Sequence, residues 1–213
     1  MAQRTQSKQI IVFGGSFNPP HIGHAAIVKK AAEHVPCNEV WFIPSADRKD
    51  KKISISGEDR FRMVSLMVKD WFDQSKVPIK ILRYELDRNK QTTTFETKAE
   101  LEKLHPDCKF HFLIGSDIVP EIKTKWVRGE EVWNTTNFIV CYRKGFEQRL
   151  ATSDLPPHSI FIEDTSELID MSSTFIRNHI QDSTKSSEFL SPSVVSYILE
   201  KNLYSDNENR NSR

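Results

Sequence analysis

Residues 9–24 read Gln9-Ile10-Ile11-Val12-Phe13-Gly14-Gly15-Ser16-Phe17-Asn18-Pro19-Pro20-His21-Ile22-Gly23-His24, and this stretch decides the fold. Residues 9–14 (QIIVFG) are a short apolar run that ends in glycine, the pattern of a buried strand. Two glycines at its end, Gly14 and Gly15, permit a tight turn and a close approach of backbone to a ligand. Residues 22–35 have helical spacing, with Ile27, Ala31 and Val35 near one face. A buried strand that turns through glycines into a helix is the opening unit of a parallel α/β sheet.

Outward from this unit the apolar segments alternate in type. Strands are expected at 39–44 (EVWFIP), 78–86, 109–115 (KFHFLIG), 137–142 (NFIVCY) and 159–162 (SIFI). Between and after them fall helices at 57–72, 94–105, 172–180 and 192–201. The first of these carries Phe61, Val64, Leu66, Met67, Val68 and Trp71 at helical spacing, and Pro106 stops the second. Parallel strands need crossovers, and the crossovers cover both faces of the sheet. The pattern therefore predicts an α/β protein: a Rossmann-like doubly wound parallel sheet with C-terminal helices. Residues 1–204 are expected to form a single domain, with the polar stretch 205–213 (SDNENRNSR) a disordered tail. Ligands in such sheets gather at the carboxyl ends of the strands, near the switch point.

Composition narrows the classes. The chain has 213 residues, 38% hydrophobic and 28% charged, with a formal net charge of +1. That balance gives no bulk electrostatic reason to expect a nucleic-acid partner. It holds no apolar run of about eighteen residues that would span a membrane. Residues 1–9 are polar and lack the apolar stretch of a secretory signal. The three cysteines, Cys37, Cys108 and Cys141, are far apart and odd in number, which fits a reducing compartment and a cytoplasmic protein.

The chemistry starts in the same opening stretch. His21 and His24 are three residues apart, so both can face one ligand at a helix start, with Gly23 keeping the backbone close. The helix's first N–H groups favour an anion. Backbone donors from Gly14, Gly15, Ser16 and Phe17 plus two imidazoles suit a polyphosphate. The stretch lacks the Gly-Lys-Ser/Thr ending of a Walker loop, and no carboxylate stands beside the histidines at metal-ligand spacing. Near the other end, Ser172, Ser173 and Thr174 cluster at a predicted helix start, where hydroxyls cap free N–H groups or bind a phosphate. Arg177, one turn on from Ser173, can reach the same place with a forked donor.

GGSFNPPHIGH resembles the motif of the HxGH nucleotidyltransferase superfamily, and Ser173-Thr174-Phe175-Ile176-Arg177 resembles its second motif, S-S/T-x-x-R. The likeness extends over nearly the whole chain to the nicotinate and nicotinamide mononucleotide adenylyltransferases. Glu58-Asp59-Arg60-Phe61-Arg62-Met63 resembles their E-x-R-x-x-M helix start, and Thr92 to Thr97 their S-Y-T-x-x-T segment. Gly115-Ser116-Asp117 resembles their G-x-D strand end, Trp126 their ring-stacking tryptophan, and 190–198 (LSPSVVSYI) their closing P-x-x-V-x-x-Y-I helix. Three positions depart. The basic loop is Arg48-Lys49-Asp50-Lys51-Lys52, Thr93 stands where an aromatic is usual, and Val127-Arg128 follow the tryptophan in place of an aromatic.

The resemblance implies ATP and a pyridine mononucleotide as partners. His21, His24 and Arg177 would stabilise charge on the transferring phosphorus. Gly14, Gly15, Ser16, Phe17, Gly23, Ser173 and Thr174 would bind ATP. Lys51, Thr94, Asp117 and Trp126 would bind the mononucleotide. No protein metal site is expected, and Mg²⁺ would be carried mainly by the ATP phosphates. A homo-oligomer is compatible with this reading. Read from residues alone, Asp117 at a strand end could equally cap a helix, and Trp126, in the polar stretch 123–128, could equally pack on its own loop. Rival activities are a phosphopantetheine adenylyltransferase or a cytidylyltransferase, and from another class a non-catalytic nucleotide-binding protein.

Overall fold

The computed structural model describes residues 7–46, 55–88, 92–142, 151–163, 172–180 and 182–205. Six strands form one parallel sheet: β1 (Lys8–Gly15), β2 (Glu39–Pro44), β3 (Ile79–Ile81), β4 (Cys108–Gly115), β5 (Phe138–Cys141) and β6 (Ser159–Ile162). Their order is β3-β2-β1-β4-β5-β6. β1 pairs with β2 from Ile10 opposite Glu39 to Gly15 opposite Pro44, and with β4 from Lys8 opposite Cys108 to Val12 opposite Phe112. The order reverses between β1 and β4, which places the switch point beside Gly14 and Gly15.

Eight helices accompany the sheet among the described residues: α1 (Ile22–His34), α2 (Gly57–Phe72), α3 (Thr94–Leu104), α4 (Val119–Lys125), α5 (Gly129–Thr135), α6 (Ser173–Asn178), α7 (Ser183–Phe189) and α8 (Pro192–Glu200). The period-2 alternation of β1 sorts them into two layers. Ile11 and Phe13 meet Val28 and Ala31 of α1, Met63 and Met67 of α2, Ile176 of α6 and Val194 of α8. Ile10 and Val12 face the other way, toward Leu101 of α3, Val119 and Ile122 of α4 and Val132 of α5. The helix starts are set locally. Ser56 accepts the Asp59 N–H at 3.1 Å, and Thr93 and Glu96 cap α3 reciprocally. Asp70 of α2 takes both the N–H and the hydroxyl of Ser193, at 2.9 and 2.8 Å, and so fixes α8 to α2.

The doubly wound parallel sheet is as expected, with three differences of detail. The strand expected at 78–86 stops at Ile81. Leu82 N still donates to Phe42 O at 2.8 Å, after which the chain turns through 84–88 and Glu85 points inward. The core side of α1 is Ala25, Val28 and Ala31, with Ile27 at its margin. The seven-residue helices α4, α5 and α7 went unread, since two turns carry too little periodic signal. At the C-terminus Tyr204 is buried, and Ser205 is placed, its hydroxyl donating to Asn202 O at 3.0 Å. The rest of the expected tail, 206–213, lies outside the described residues. Among the described residues no helix is long and apolar enough to cross a membrane.

Candidate active site

One side of the candidate site is built from the β1 turn and the start of α1. A Cβ on Gly15 would press on the Phe17 ring at 3.3 Å, so glycine lets that ring pack under the turn. Phe17 itself has φ of 46° and is buried. His21 is the N-cap of α1 and His24 its third residue, with ring centroids 3.7 Å apart. The His21 N–H donates to His24 Nδ1 at 3.1 Å. That bond makes Nδ1 an acceptor and leaves the ring proton of His24 on Nε2. Phe17 packs edge-on against His24 at 5.1 Å and limits its rotation. Gly23 lies between the two histidines in the first turn.

Two buried braces hold this loop. Arg60, fully buried in α2, donates to Ser16 O and to Ser45 O, each at 2.8 Å, and so ties the β1 turn to the end of β2. Tyr204 donates to Asn18 Oδ1 at 2.6 Å, and burial pushes its phenol well up. α6 docks on the same loop. Ser173 Oγ donates to Pro19 O at 3.2 Å, and Arg177 donates to Asn18 O at 2.8 Å and to Thr174 Oγ1 at 3.0 Å. Two sequence motifs 159 residues apart, measured from Asn18 to Arg177, thus meet at one place.

A cavity of about 720 Å³ opens at the carboxyl ends of β1 and β4 and is lined among others by Gly14, Gly15, Ile43, Glu85, Thr94 and Trp126. Gly14 and Gly15 therefore belong both to the β1 turn and to the cavity wall. Trp126 ends α4 and stands edge-on to Phe138 at 6.5 Å. Thr94 begins α3 on another wall. Glu85 is buried with both oxygens engaged: Oε2 accepts the Ala46 N–H at 3.0 Å and Oε1 the Thr92 hydroxyl at 2.7 Å.

Of the residues expected from sequence, the structure gathers His21, His24, Ser173, Thr174 and Arg177 around the 16–19 loop, and puts Thr94 and Trp126 on the cavity. Asp117 comes to the β4 end, in the 3-10 turn Ser116–Ile118, but its carboxylate folds back over Gly115, where a Cβ would collide with it. It is not among the residues lining the cavity. Lys51 and the rest of the 48–52 loop lie outside the described residues. Sequence reasoning missed Glu85, Arg60 and Tyr204 as supports of the site. The sequence signal for Arg60 was its place inside the Glu58 to Met63 patch and for Glu85 that Glu85-Leu86-Asp87-Arg88 directly precedes the Thr92 to Thr97 patch, while Tyr204 carried none.

Residues 12–179 match the family profile of cytidylyltransferase-like proteins. A protein of Halalkalibacterium halodurans named "Probable nicotinate-nucleotide adenylyltransferase" is 33% identical over 207 residues, covering 96% of this chain and 95% of that one. A protein of the same name from Leptospira interrogans is 36% identical over 197 residues, covering 91% and 96%. The nicotinic acid mononucleotide adenylyltransferase of Plasmodium falciparum, solved in complex with NaAD, is similar in structure with a TM-score of 0.79 and 25% identity. That match covers 93% of this chain and 98% of that one.

Proposed function

The chain belongs to the cytidylyltransferase-like family, and within it to the nicotinate-nucleotide adenylyltransferases; from that premise we propose that it joins AMP from ATP to nicotinate mononucleotide, giving the dinucleotide and pyrophosphate. The observation that carries the reading is the meeting of Arg177 and Ser173 with the Asn18–Pro19 carbonyls, on a loop whose Gly14 and Gly15 also wall the cavity holding Trp126. A triphosphate at the loop and a pyridine ring at Trp126 would then be joined across the two glycines.

A phosphate oxygen of the mononucleotide attacks the α-phosphorus of ATP. The bond from that phosphorus to the oxygen bridging the β-phosphorus breaks, and pyrophosphate leaves with the electron pair. The nucleophile is already ionised at neutral pH, so the protein's work is positioning and charge stabilisation. In this assignment His24 offers Nε2–H to the phosphates, with His21 beside it and the α1 N–H groups behind. Arg177 supplies a fixed cation, and Ser173 and Thr174 supply hydroxyls at the start of α6. Gly14, Gly15, Ser16, Phe17 and Gly23 supply close backbone. Thr94 and Trp126 hold the mononucleotide, Trp126 by stacking. Lys51 and Asp117 keep a proposed part in mononucleotide binding, Asp117 only if its carboxylate turns away from Gly115.

Mg²⁺ fits this donor set as a companion of ATP. The groups around the loop are hydrogen-bond donors, and among the described residues no three His, Cys, Asp or Glu side chains gather as a cation site. Phosphates and water would hold the ion, and it would neutralise charge on the departing pyrophosphate. Both substrates are dissolved nucleotides, so the reading needs neither nucleic acid nor membrane. Its test is an acceptor panel read by pyrophosphate release. ATP with nicotinate mononucleotide is expected to give the highest kcat/KM. A higher value with phosphopantetheine, or with CTP and glycerol 3-phosphate, would overturn it.

A further inference from the structure

The wall of the cavity that carries Trp126 is a short turn between two short helices, and its geometry is unusual. Arg128, the N-cap of α5, has φ of 54° and ψ of 39°, a left-handed backbone that suits glycine better than arginine. The turn is closed by Gly129 N–H donating to Trp126 O at 3.0 Å. It is pressed against α4, since a Cβ on Gly129 would collide with the Ile122 carbonyl. The Arg128 side chain reaches beyond its own helix pair. Its guanidinium lies over the Phe95 ring, 4.0 Å from the centroid, and also pairs with Glu131. Phe95 is the second residue of α3, next to Thr94. Both Thr94 and Trp126 line the cavity. One cation–π contact therefore joins two walls, one residue from the first lining side chain and two from the second.

We infer that Arg128 and Phe95 form a clamp that sets the width of the Trp126 end of the cavity, with Arg128 a positioning residue for the mononucleotide. The inference rests on the proposal that this cavity takes the mononucleotide. Arg128 touches no reacting atom. It acts through Trp126, whose ring it holds at a fixed distance from Thr94. The Glu131 pair is exposed and screened, so the aromatic face is the contact that spans the walls.

The experiment has two arms. In ligand-free protein, Phe95→Leu is expected to speed hydrogen exchange of the Gly129 amide by about threefold or more, although the change is in another helix. In steady-state turnover, Phe95→Leu and Arg128→Gly are each expected to raise KM for nicotinate mononucleotide by about threefold to tenfold. The KM for ATP and kcat should stay within about twofold. The double variant should be no worse than the poorer single one, because both changes remove one contact. Arg128→Gly also relieves the left-handed backbone, so misfolding is not built into the test. Unchanged exchange in Phe95→Leu, an equal rise in the KM for ATP, or additive effects in the double variant would overturn the clamp. Exchange without ligand reads the clamp whichever acceptor the cavity takes, while turnover by the unaltered protein reads the function, so the two can fail separately.

Discussion

The two halves of the site are held together in different ways. Around the 16–19 loop, the side chains that could meet a phosphate stand in recognisable strings, His21 to His24 and Ser173 to Arg177, and the second string reaches the loop through the Asn18 and Pro19 carbonyls, with Arg60 and Tyr204 as braces behind. Around the cavity, the contacts join side chains scattered over the ends of α3, α4, α5 and the segment after β3: Glu85 with Thr92, Trp126 with Phe138, Arg128 with Phe95. A phosphate is bound by donors at fixed backbone spacing, so its site compresses into a few consecutive residues. A flat ring is bound by shape, and shape is assembled from separate elements. The phosphate half should therefore govern turnover, and the cavity half should govern the choice of acceptor.

The largest effect expected is His24→Ala, which should cut kcat by about two powers of ten or more, the scale of one charge-stabilising donor. The fold should survive, since His24 is only part-buried and serves the loop; circular dichroism and Tm check this. Near-normal kcat in the folded variant would break the assignment of the phosphate half. Next comes Trp126→Ala. Ring stacking is worth roughly 1–3 kcal/mol, so the mononucleotide Kd should rise by about one to two powers of ten while the ATP Kd holds. Trp126→Phe should recover much of the loss. Titration calorimetry separates the two ligands, and equal losses would mean a collapsed turn. The smallest is Tyr204→Phe, which leaves the buried Asn18 Oδ1 without that donor. The expected cost is about 1–2 kcal/mol in stability, seen as a Tm lower by a few degrees, with turnover down by less than about tenfold.

The same contrast explains what could be read beforehand. β2, α2 and β6 fall where the apolar pattern puts them, because each is long enough or apolar enough to show its period. The segment after β3 does not. Its apolar residues continue to Leu86, but the chain turns so that Glu85 can meet Thr92 and also Ala46, a demand set 39 residues away. The histidine pair and Arg177 were legible because spacing along a helix start is a local property. Arg60 and Tyr204 were not, since their partners Ser16, Ser45 and Asn18 are neighbours only after folding. Asp117 was legible as a residue at a strand end, while the direction of its carboxylate, back over Gly115, depends on the turn that follows.

The central claim is that AMP passes from ATP to the phosphate of nicotinate mononucleotide, and the fate of the α-phosphorus tests it most directly. With ATP labelled at the α-phosphorus, the label should move into the dinucleotide in step with dinucleotide formation, and the released pyrophosphate should carry none. Label recovered as free AMP or ADP, with no labelled dinucleotide, would contradict the account.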